Sequence, residues 1–225
     1  MNVFRYFFRA SVIMRILAVV VALTPATGQA ATFTGEFWKN NRGFNNINQA
    51  LNFIASSSPT ATFQSTAIDY PNGATNTTRS SSTLANFLGV DAGSIVGNGL
   101  ATIQTSVFRF TGFVDLLAGS QQFITGSDDG YRLTVNGTLI SQQNRPRAFN
   151  TTTNNSNPGE GRATFELLFY ENYGNSGLEV SLDGELIKAS PIPLPAGFTL
   201  ILSALAALGL LKWRNRRTLP LVNHA

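Results

Sequence analysis

The 225-residue chain is 43% hydrophobic, has a net charge of +4, and contains no cysteine and one histidine, His224. Since His224 lies at the extreme C-terminus, the interior of the chain lacks the residues of Ser-His-Asp and Cys-His nucleophilic sites and of the common zinc sites. There is also no glycine-rich loop of the P-loop or dinucleotide type. Carboxylate chemistry remains, either as a hard-metal site or as an acid pair of the glycosidase kind.

The first 30 residues have the pattern of a secretory signal peptide. Arg5, Arg9 and Arg15 provide a positive start, and residues 16–23 form an uncharged apolar core. Small residues at the positions that a signal peptidase reads predict cleavage between Ala30 and Ala31. A permanent N-terminal anchor is the alternative, but the apolar core is shorter than the ~20 residues that a membrane span needs.

Residues 31–190 form one predicted domain. The predicted signal and tail contain seven of the sixteen basic residues and none of the acidic ones. This domain therefore contains nine basic and twelve acidic residues. The resulting charge of −3 does not fit a nucleic-acid partner, because the basic balance of the whole chain comes from targeting segments.

Two short helices are predicted near the start of the domain, because apolar residues recur there at helical spacing. Ser82 is the predicted N-cap of the second helix. The polar stretches 71–83 and 150–158 are predicted to be mobile loops. The helical faces consist of Ile47, Leu51 and Ile54 in the first helix and of Leu84, Phe87 and Leu88 in the second.

Antiparallel strands are predicted for the rest of the domain. Tyr131, Leu133 and Val135 alternate with polar residues, and Asn136-Gly137 is a strong hairpin signal. The apolar run 165–170 predicts a strand buried on both faces. Short spacing between hairpins and the lack of a βαβ rhythm predict an antiparallel β-sandwich. Further strands are expected at 108–116, 121–125 and 178–182.

A pair of aspartates, Asp128 and Asp129, lies at the entry to this hairpin and is followed by Gly130. Their oxygens could hold calcium. Alternatively, the carboxylates bond nearby backbone N–H groups while Gly130 supplies a positive φ. Side chains of successive residues in a strand point to opposite faces, so convergence on one ion requires an unusual backbone such as a cis peptide bond. Both interpretations remain open at this point.

The segment 106–182 resembles the protective-antigen-type domain, a family named after an anthrax toxin component that also occurs in yeast flocculins and bacterial glycosidases. This resemblance implies a jelly-roll-like sandwich. In the flocculin members the paired aspartates hold calcium, with help from a second loop that matches residues 171–177 here. Asn172 and Asn175 would supply oxygens from this loop. The matching residues are Val107–Phe113, Gly119, Phe123–Gly130, Phe165–Asn172 and Gly177–Leu182.

Candidate glycan contacts follow from the same region. Tyr173 is the predicted surface aromatic residue, whereas Tyr131 and Tyr170 continue apolar faces and are predicted to be core residues. Arg145 and Arg147, together with Arg162, flank the Asn-rich stretch and could contact acidic sugars. A glycosidase pair could be formed by Glu166 and Glu171, but both are predicted to be solvated surface positions.

The C-terminal segment reads as a second targeting signal. A proline-rich motif at 191–196 precedes the apolar segment 197–211, predicted as a transmembrane helix, and a basic cytoplasmic tail at 212–225. This order resembles the bacterial PEP-CTERM signals of the Val-Pro-Leu-Pro-Ala variant, with Ile192 in place of the valine. It implies recognition of Pro193, Leu194, Pro195 and Ala196 by an exosortase-type protease. A plain membrane anchor is the alternative.

These observations predict an exported, surface-sorted bacterial protein. It would be cut by signal peptidase, pass through an inner-membrane intermediate and reach the outer surface or a biofilm matrix. There it would act as a non-enzymatic carbohydrate-binding, adhesion or extracellular-matrix module that contacts polysaccharide, either with calcium as its one candidate cofactor or with no cofactor. The alternatives are a passive structural component without a specific ligand and, third, a glycoside hydrolase.

Overall fold

Short antiparallel strands dominate the computed structural model, which describes residues 31–71 and 76–191 together with Leu205 and Leu208. The predicted signal peptide and almost all of the predicted sorting segment lie outside the described residues. The strands are β1 (Phe33–Lys39), β2 (Ala61–Ser65), β3 (Asp69–Tyr70), β4 (Thr78–Arg79), β5 (Val96–Gly97), β6 (Ser106–Leu116), β7 (Gln121–Asp128), β8 (Gly130–Val135), β9 (Thr138–Gln143), β10 (Asn150–Ser156), β11 (Gly161–Glu171), β12 (Asn175–Leu182) and β13 (Glu185–Leu186).

Two antiparallel sheets form the sandwich. The seven-stranded sheet has the order β5-β2-β1-β6-β11-β8-β9, and the second sheet has the order β10-β7-β12-β13, with β3 and β4 also paired to β12. This architecture confirms the predicted fold class.

The long strand β11 lies near the middle of the seven-stranded sheet, between β6 and β8. Phe165, Leu167 and Phe169 face the second sheet and belong to the main core, while Leu168 and Tyr170 lie in a separate apolar cluster on the outer face. The prediction of a strand buried on both faces is therefore confirmed.

Phenylalanine rings fill the space between the sheets. Phe108 is central among them, with its ring centroid 5.0 Å from that of Phe37 and 5.3 Å from that of Phe87. Aromatic pairs at such distances add to the free energy gained by burying their area. The absence of cysteine leaves this packing as the main source of stability in the domain.

Both predicted helices are present as α1 (Ile47–Ala55) and α2 (Leu84–Leu88). The side chain of Asn46 caps α1, which packs on the outer face of the seven-stranded sheet. The N-cap of α2 is Thr83 and not Ser82 as predicted, because the Thr83 hydroxyl accepts the Asn86 N–H at 3.2 Å. A 3₁₀ turn (Gly89–Ser94) follows α2 directly.

The predicted hairpin between β8 and β9 turns at Asn136 and Gly137, which both have positive φ (50° and 76°). The prediction of a mobile loop at 150–158 is wrong for most of that stretch, since β10 pairs along its whole length with β7. Backbone hydrogen bonds hold this polar edge strand, and its inward-facing Asn154 accepts the Ser141 hydroxyl. Strand β4 likewise forms within the other predicted loop, 71–83.

Within the described ranges, no helix has both the length and the apolar character needed to cross a membrane. The predicted transmembrane segment 197–211 lies outside these ranges apart from Leu205 and Leu208.

Candidate cation and glycan site

Three strands finish at the same end of the sandwich, with Lys39, Asp128 and Glu171 as their last residues. We call this the upper end, and the opposite end, where β11 begins at Gly161, the lower end. Asp128 lies opposite Gly177 of β12, in the second sheet, while Glu171 lies opposite Ser106 of β6, in the first sheet. The upper end therefore joins carboxylates from both sheets.

The carboxylates of Asp128, Asp129 and Glu171 form one buried cluster. One oxygen from each residue lies within 4.8 Å of the others. The peptide bond between Asp128 and Asp129 is cis. Three convergent carboxylate oxygens at this spacing are a donor set suited to a hard divalent cation such as calcium.

Glu171 lies in this cluster, in the interior of the domain. The prediction of a solvated surface position is wrong, because none of its surface is exposed. The residue follows Phe165, Leu167 and Phe169 at intervals of two, so it continues the core-facing side of β11. That alternation is the sequence signal that could have placed Glu171 correctly.

Backbone N–H groups from two loops reach the aspartates. The N–H of Asn172 donates to Oδ2 of Asp129 at 2.8 Å, and the N–H of Arg147 also bonds this carboxylate. Asp128 accepts the N–H of Phe149. These bonds match the alternative in which the aspartates bond nearby backbone groups, and they leave oxygen lone pairs free for an ion.

Glu171 has weaker support, since the Ser176 hydroxyl and the N–H of Asn172 lie close enough to oppose the rise of its pKa only in part. Neither of its carboxylate oxygens has a hydrogen bond of good geometry within the described part of the chain, and the buried hydroxyl of nearby Ser176 also has none. A buried carboxylate without a partner costs several kcal/mol unless it is neutralised. A proton or a cation therefore has to neutralise Glu171.

Burial raises the pKa of all three carboxyl groups. For Glu171, desolvation and the negative charges of Asp129 and Asp128 raise the pKa to about 10. Desolvation also raises the pKa of Asp129 to about 6, against the opposing hydrogen bond from Asn172. The pKa of Asp128 is raised by desolvation, although Phe149 and Arg147 oppose that shift. Without a cation, these three carboxyl groups therefore keep their protons to a higher pH than ordinary aspartate and glutamate side chains do.

Arg147 lies half-buried beside the cluster. Its guanidinium is occupied by hydrogen bonds within the domain, so it is not available to a glycan as predicted. Its guanidinium donates to the Ser127 hydroxyl at 3.0 Å, to the Asn150 carbonyl at 2.7 Å and to the Thr152 hydroxyl at 3.0 Å. It also lies over the ring of Tyr131, 5.6 Å from the centroid. These contacts hold the 147–150 segment against β7 and place a positive charge near Asp128.

The side chain of Asn172 lies beside Asp129 but is also held by Phe44, whereas Asn175 lies away from the cluster. Oδ1 of Asn172 accepts the N–H of Phe44 at 2.6 Å, and its Nδ2 donates to the carbonyl of Phe44 at 3.0 Å. Asn175 is exposed and pairs with Arg79, while its neighbour Ser176 is buried next to Glu171. Since strand side chains alternate, Asn175 points away from the cluster.

Among the predicted glycan contacts, Tyr173 is 61% exposed and lies directly after the Glu171-Asn172 pair. Arg145 is exposed on the loop that precedes Arg147. Tyr131 and Tyr170 are fully buried, which confirms the prediction that they are core residues. Arg162 lies far from the cluster, at the lower end, with its guanidinium 4.1 Å from the ring centroid of Phe113.

Gly130 has a different role from the one the turn interpretation gave it. Its φ is not positive. A Cβ at this position would lie 2.5 Å from Cε1 of Tyr170 and 2.7 Å from the Gln143 carbonyl oxygen. Glycine is therefore required by the close approach of two neighbouring strands.

Glu166 and Glu171 do not form a catalytic pair. Glu166 is exposed on the outer face of the sheet, while Glu171 is buried on the inner face. Five strand residues separate the two side chains by roughly 16 Å along β11. Acid pairs of glycosidases lie about 5–9.5 Å apart, so these two cannot flank one glycosidic bond.

Solved structures with this fold include PA14 domains. The chain is similar to the "PA14 sugar-binding domain from RTX adhesin", with 27% identity and a TM-score of 0.60 over 73% of this chain and all of that one. It is also similar to the PA14 domain of the MpAFP antifreeze protein, with 22% identity and a TM-score of 0.61 over 72% of this chain and 93% of that one. No protein-family model and no curated protein sequence matches the chain.

Proposed function

We propose that this protein is a non-enzymatic carbohydrate-binding module whose upper end holds a calcium ion. The observation that carries the proposal is the fully buried Glu171 carboxylate, which accepts no hydrogen bond of good geometry from the described residues and lies beside Asp128 and Asp129. The similarity to a sugar-binding PA14 domain supports the same function.

The residues of the site divide into three roles. Asp128, Asp129 and Glu171 would hold the ion, which supplies positive charge and open coordination positions for sugar hydroxyl groups. Asn172 positions the loop next to Asp129, in place of the direct ligand role that the sequence predicted. The exposed ring of Tyr173 offers an apolar face on which a sugar ring can stack.

The proteins whose solved domains are similar to this one also support a location at the cell surface or beyond. An RTX adhesin and an antifreeze protein carry the similar domains, and we propose that the present domain is likewise exported to the cell surface or beyond. The predicted signal peptide and PEP-CTERM-like tail agree with this location, and the processing steps assigned to them are part of the proposal.

Calcium titration of the full-length chain tests the cation site. We expect calcium, added after treatment with a chelator, to raise the melting temperature of the wild type, because a ligand that binds only the folded state stabilises it. Asp129→Asn and Glu171→Gln should lose this shift. Asp115→Asn, which removes an exposed carboxylate at the lower end, should keep it.

A glycan array probed with and without calcium tests the ligand. Binding that requires calcium and is lost in Asp129→Asn supports the proposal. A melting temperature that does not respond to calcium, or a failure to bind any glycan, contradicts it and favours a passive structural component. In that case Asp129→Asn would change stability alone.

A further inference from the structure

Four loops surround the acidic cluster at the upper end. The 40–46 loop is tied to it by the paired hydrogen bonds between Asn172 and Phe44. In the 144–149 loop, the N–H groups of Arg147 and Phe149 donate to the aspartates. Within residues 76–80, Thr78 and Arg79 pair with the start of β12, and the 172–174 turn follows Glu171. These backbone contacts place all four segments next to the acidic cluster.

Three exposed arginines lie on these loops: Arg42, Arg79 and Arg145. Unlike Arg147, none of them has a side-chain hydrogen bond or an ion pair with any residue of the described ranges. The one salt bridge found there joins Arg109 to Glu36 on the outer face of the sheet. The guanidinium groups of the rim are therefore free to contact a ligand.

The exposed acidic residues differ between the two ends of the sandwich, although the exposed Lys188 lies at the lower end with most of them. The four upper loops contain no exposed aspartate or glutamate, since Asp129 and Glu171 beside them are buried. At the lower end the exposed acids are Asp115, Glu160, Asp183 and Glu185. The domain is net negative, so the basic rim is a local feature and not a consequence of overall composition.

We infer that the glycan bound at the upper end carries carboxylate groups, as an oligomer of uronic acids does. This inference rests on the proposed function and narrows its ligand class. A planar guanidinium can donate two parallel hydrogen bonds to a carboxylate, which it cannot do as well to a neutral hydroxyl. Carboxylate oxygens are also good ligands for calcium, so one sugar acid can contact both the ion and the rim.

The experiment compares charged and uncharged forms of the same sugars. Calcium-loaded full-length chain is titrated with trimers of galacturonate, glucuronate and mannuronate and with the methyl ester of each trimer, at fixed free calcium. We expect at least one acid trimer to bind about tenfold tighter than its ester. A variant with Arg42→Ala, Arg79→Ala and Arg145→Ala together should lose that preference.

Two controls accompany this variant. Lys188→Ala removes one positive charge from an exposed residue of the lower end and should leave acid binding unchanged. The calcium-induced rise in melting temperature should persist in the triple variant, which shows that the fold and the cation site are intact.

Several results would overturn the inference. If the esters bind as tightly as the acids, or if the triple variant keeps the preference, the rim does not select carboxylates, while calcium-dependent sugar binding stands. If calcium raises the melting temperature but neither these trimers nor neutral glycans bind, the glycan function itself fails together with the inference.

Discussion

The backbone N–H of Asn172 donates a 2.8 Å hydrogen bond to Oδ2 of Asp129. The amide group of the same asparagine holds the backbone N–H and carbonyl of Phe44. One residue thus connects the aspartate pair to the 40–46 loop, directly beside the buried carboxylate of Glu171. The geometry of the cluster and the position of the surrounding loop therefore depend on each other.

Replacement of Asn172 by alanine should weaken both features. The N–H and carbonyl of Phe44 would lose their partners, which costs about 1–3 kcal/mol when such groups are buried. We expect chemical denaturation to show a decrease of that size in the free energy of unfolding, together with weaker calcium binding. Asn45→Ala, on the same loop, removes an exposed side chain and should change stability by less than about 0.5 kcal/mol. Equal losses in the two variants would contradict this role of Asn172.

Stability of the ion-free protein should fall as pH rises. Burial and the charges of Asp129 and Asp128 raise the pKa of Glu171 from its ordinary value of 4.5 to about 10 in the folded state, so between these values the folded state holds a proton that the unfolded state has released. Unfolding then becomes more favourable by up to about 1.4 kcal/mol per pH unit.

Denaturation between pH 5 and pH 9 in the presence of a chelator measures this slope. Glu171→Gln should flatten it, because glutamine does not titrate. A wild-type stability that does not fall over this range would show that Glu171 is already ionised in the ion-free fold.

A side chain at Gly130 should be poorly tolerated. The Cβ of Gly130→Ala would meet the buried ring of Tyr170 and the backbone of Gln143, and overpacking of this kind costs about 1–3 kcal/mol. Gly93→Ala is the matched control, because a Cβ there has no atom within 4 Å. Urea denaturation should show a clear loss for the first variant only. If Gly130→Ala were as stable as Gly93→Ala, the strands would have more room than the structure shows.

Replacement of Phe108 by alanine should strongly reduce the free energy of unfolding. Replacing a buried phenylalanine with alanine removes apolar contacts and leaves a cavity, at a cost of about 3–5 kcal/mol. Thermal and urea denaturation should detect this loss. Leu117→Ala, at a side chain that is 72% exposed, should be nearly neutral. The rings that would lose contact are those of Phe37, Phe87, Phe110 and Phe169.

Processing of the C-terminal segment should depend on the proline motif. Replacement of Pro193, Leu194 and Pro195 by alanine removes that motif and leaves residues 197–211 unchanged. We expect the variant to accumulate in membranes at a higher mass, while the parent protein reaches the surface or the medium. Cell fractionation with intact-mass measurement distinguishes the two. Identical masses in the membrane for both proteins would make the segment an ordinary anchor.

Local pattern was sufficient to predict much of the fold. The period-two alternation at Tyr131, Leu133 and Val135 and the Asn136-Gly137 turn identify a hairpin, since both signals depend on neighbouring residues. The run 165–170 was also predicted correctly as a strand with two buried faces. By contrast, β10 has no apolar alternation, and its pairing with β7 is decided by backbone hydrogen bonds to a strand more than twenty residues away.

The composition and the Asp128-Asp129 pair were enough to direct attention to carboxylate chemistry and to the correct end of one strand. Only the tertiary structure shows that Glu171 completes the cluster, that Asn172 holds Phe44, and that Arg42 and Arg79 lie on the same rim as Arg145. These residues are brought together by sheet pairing and by contacts across up to 128 positions of sequence. Hydrophobic periodicity predicts which face of a strand is buried, but it does not predict which strands end next to one another in the folded domain.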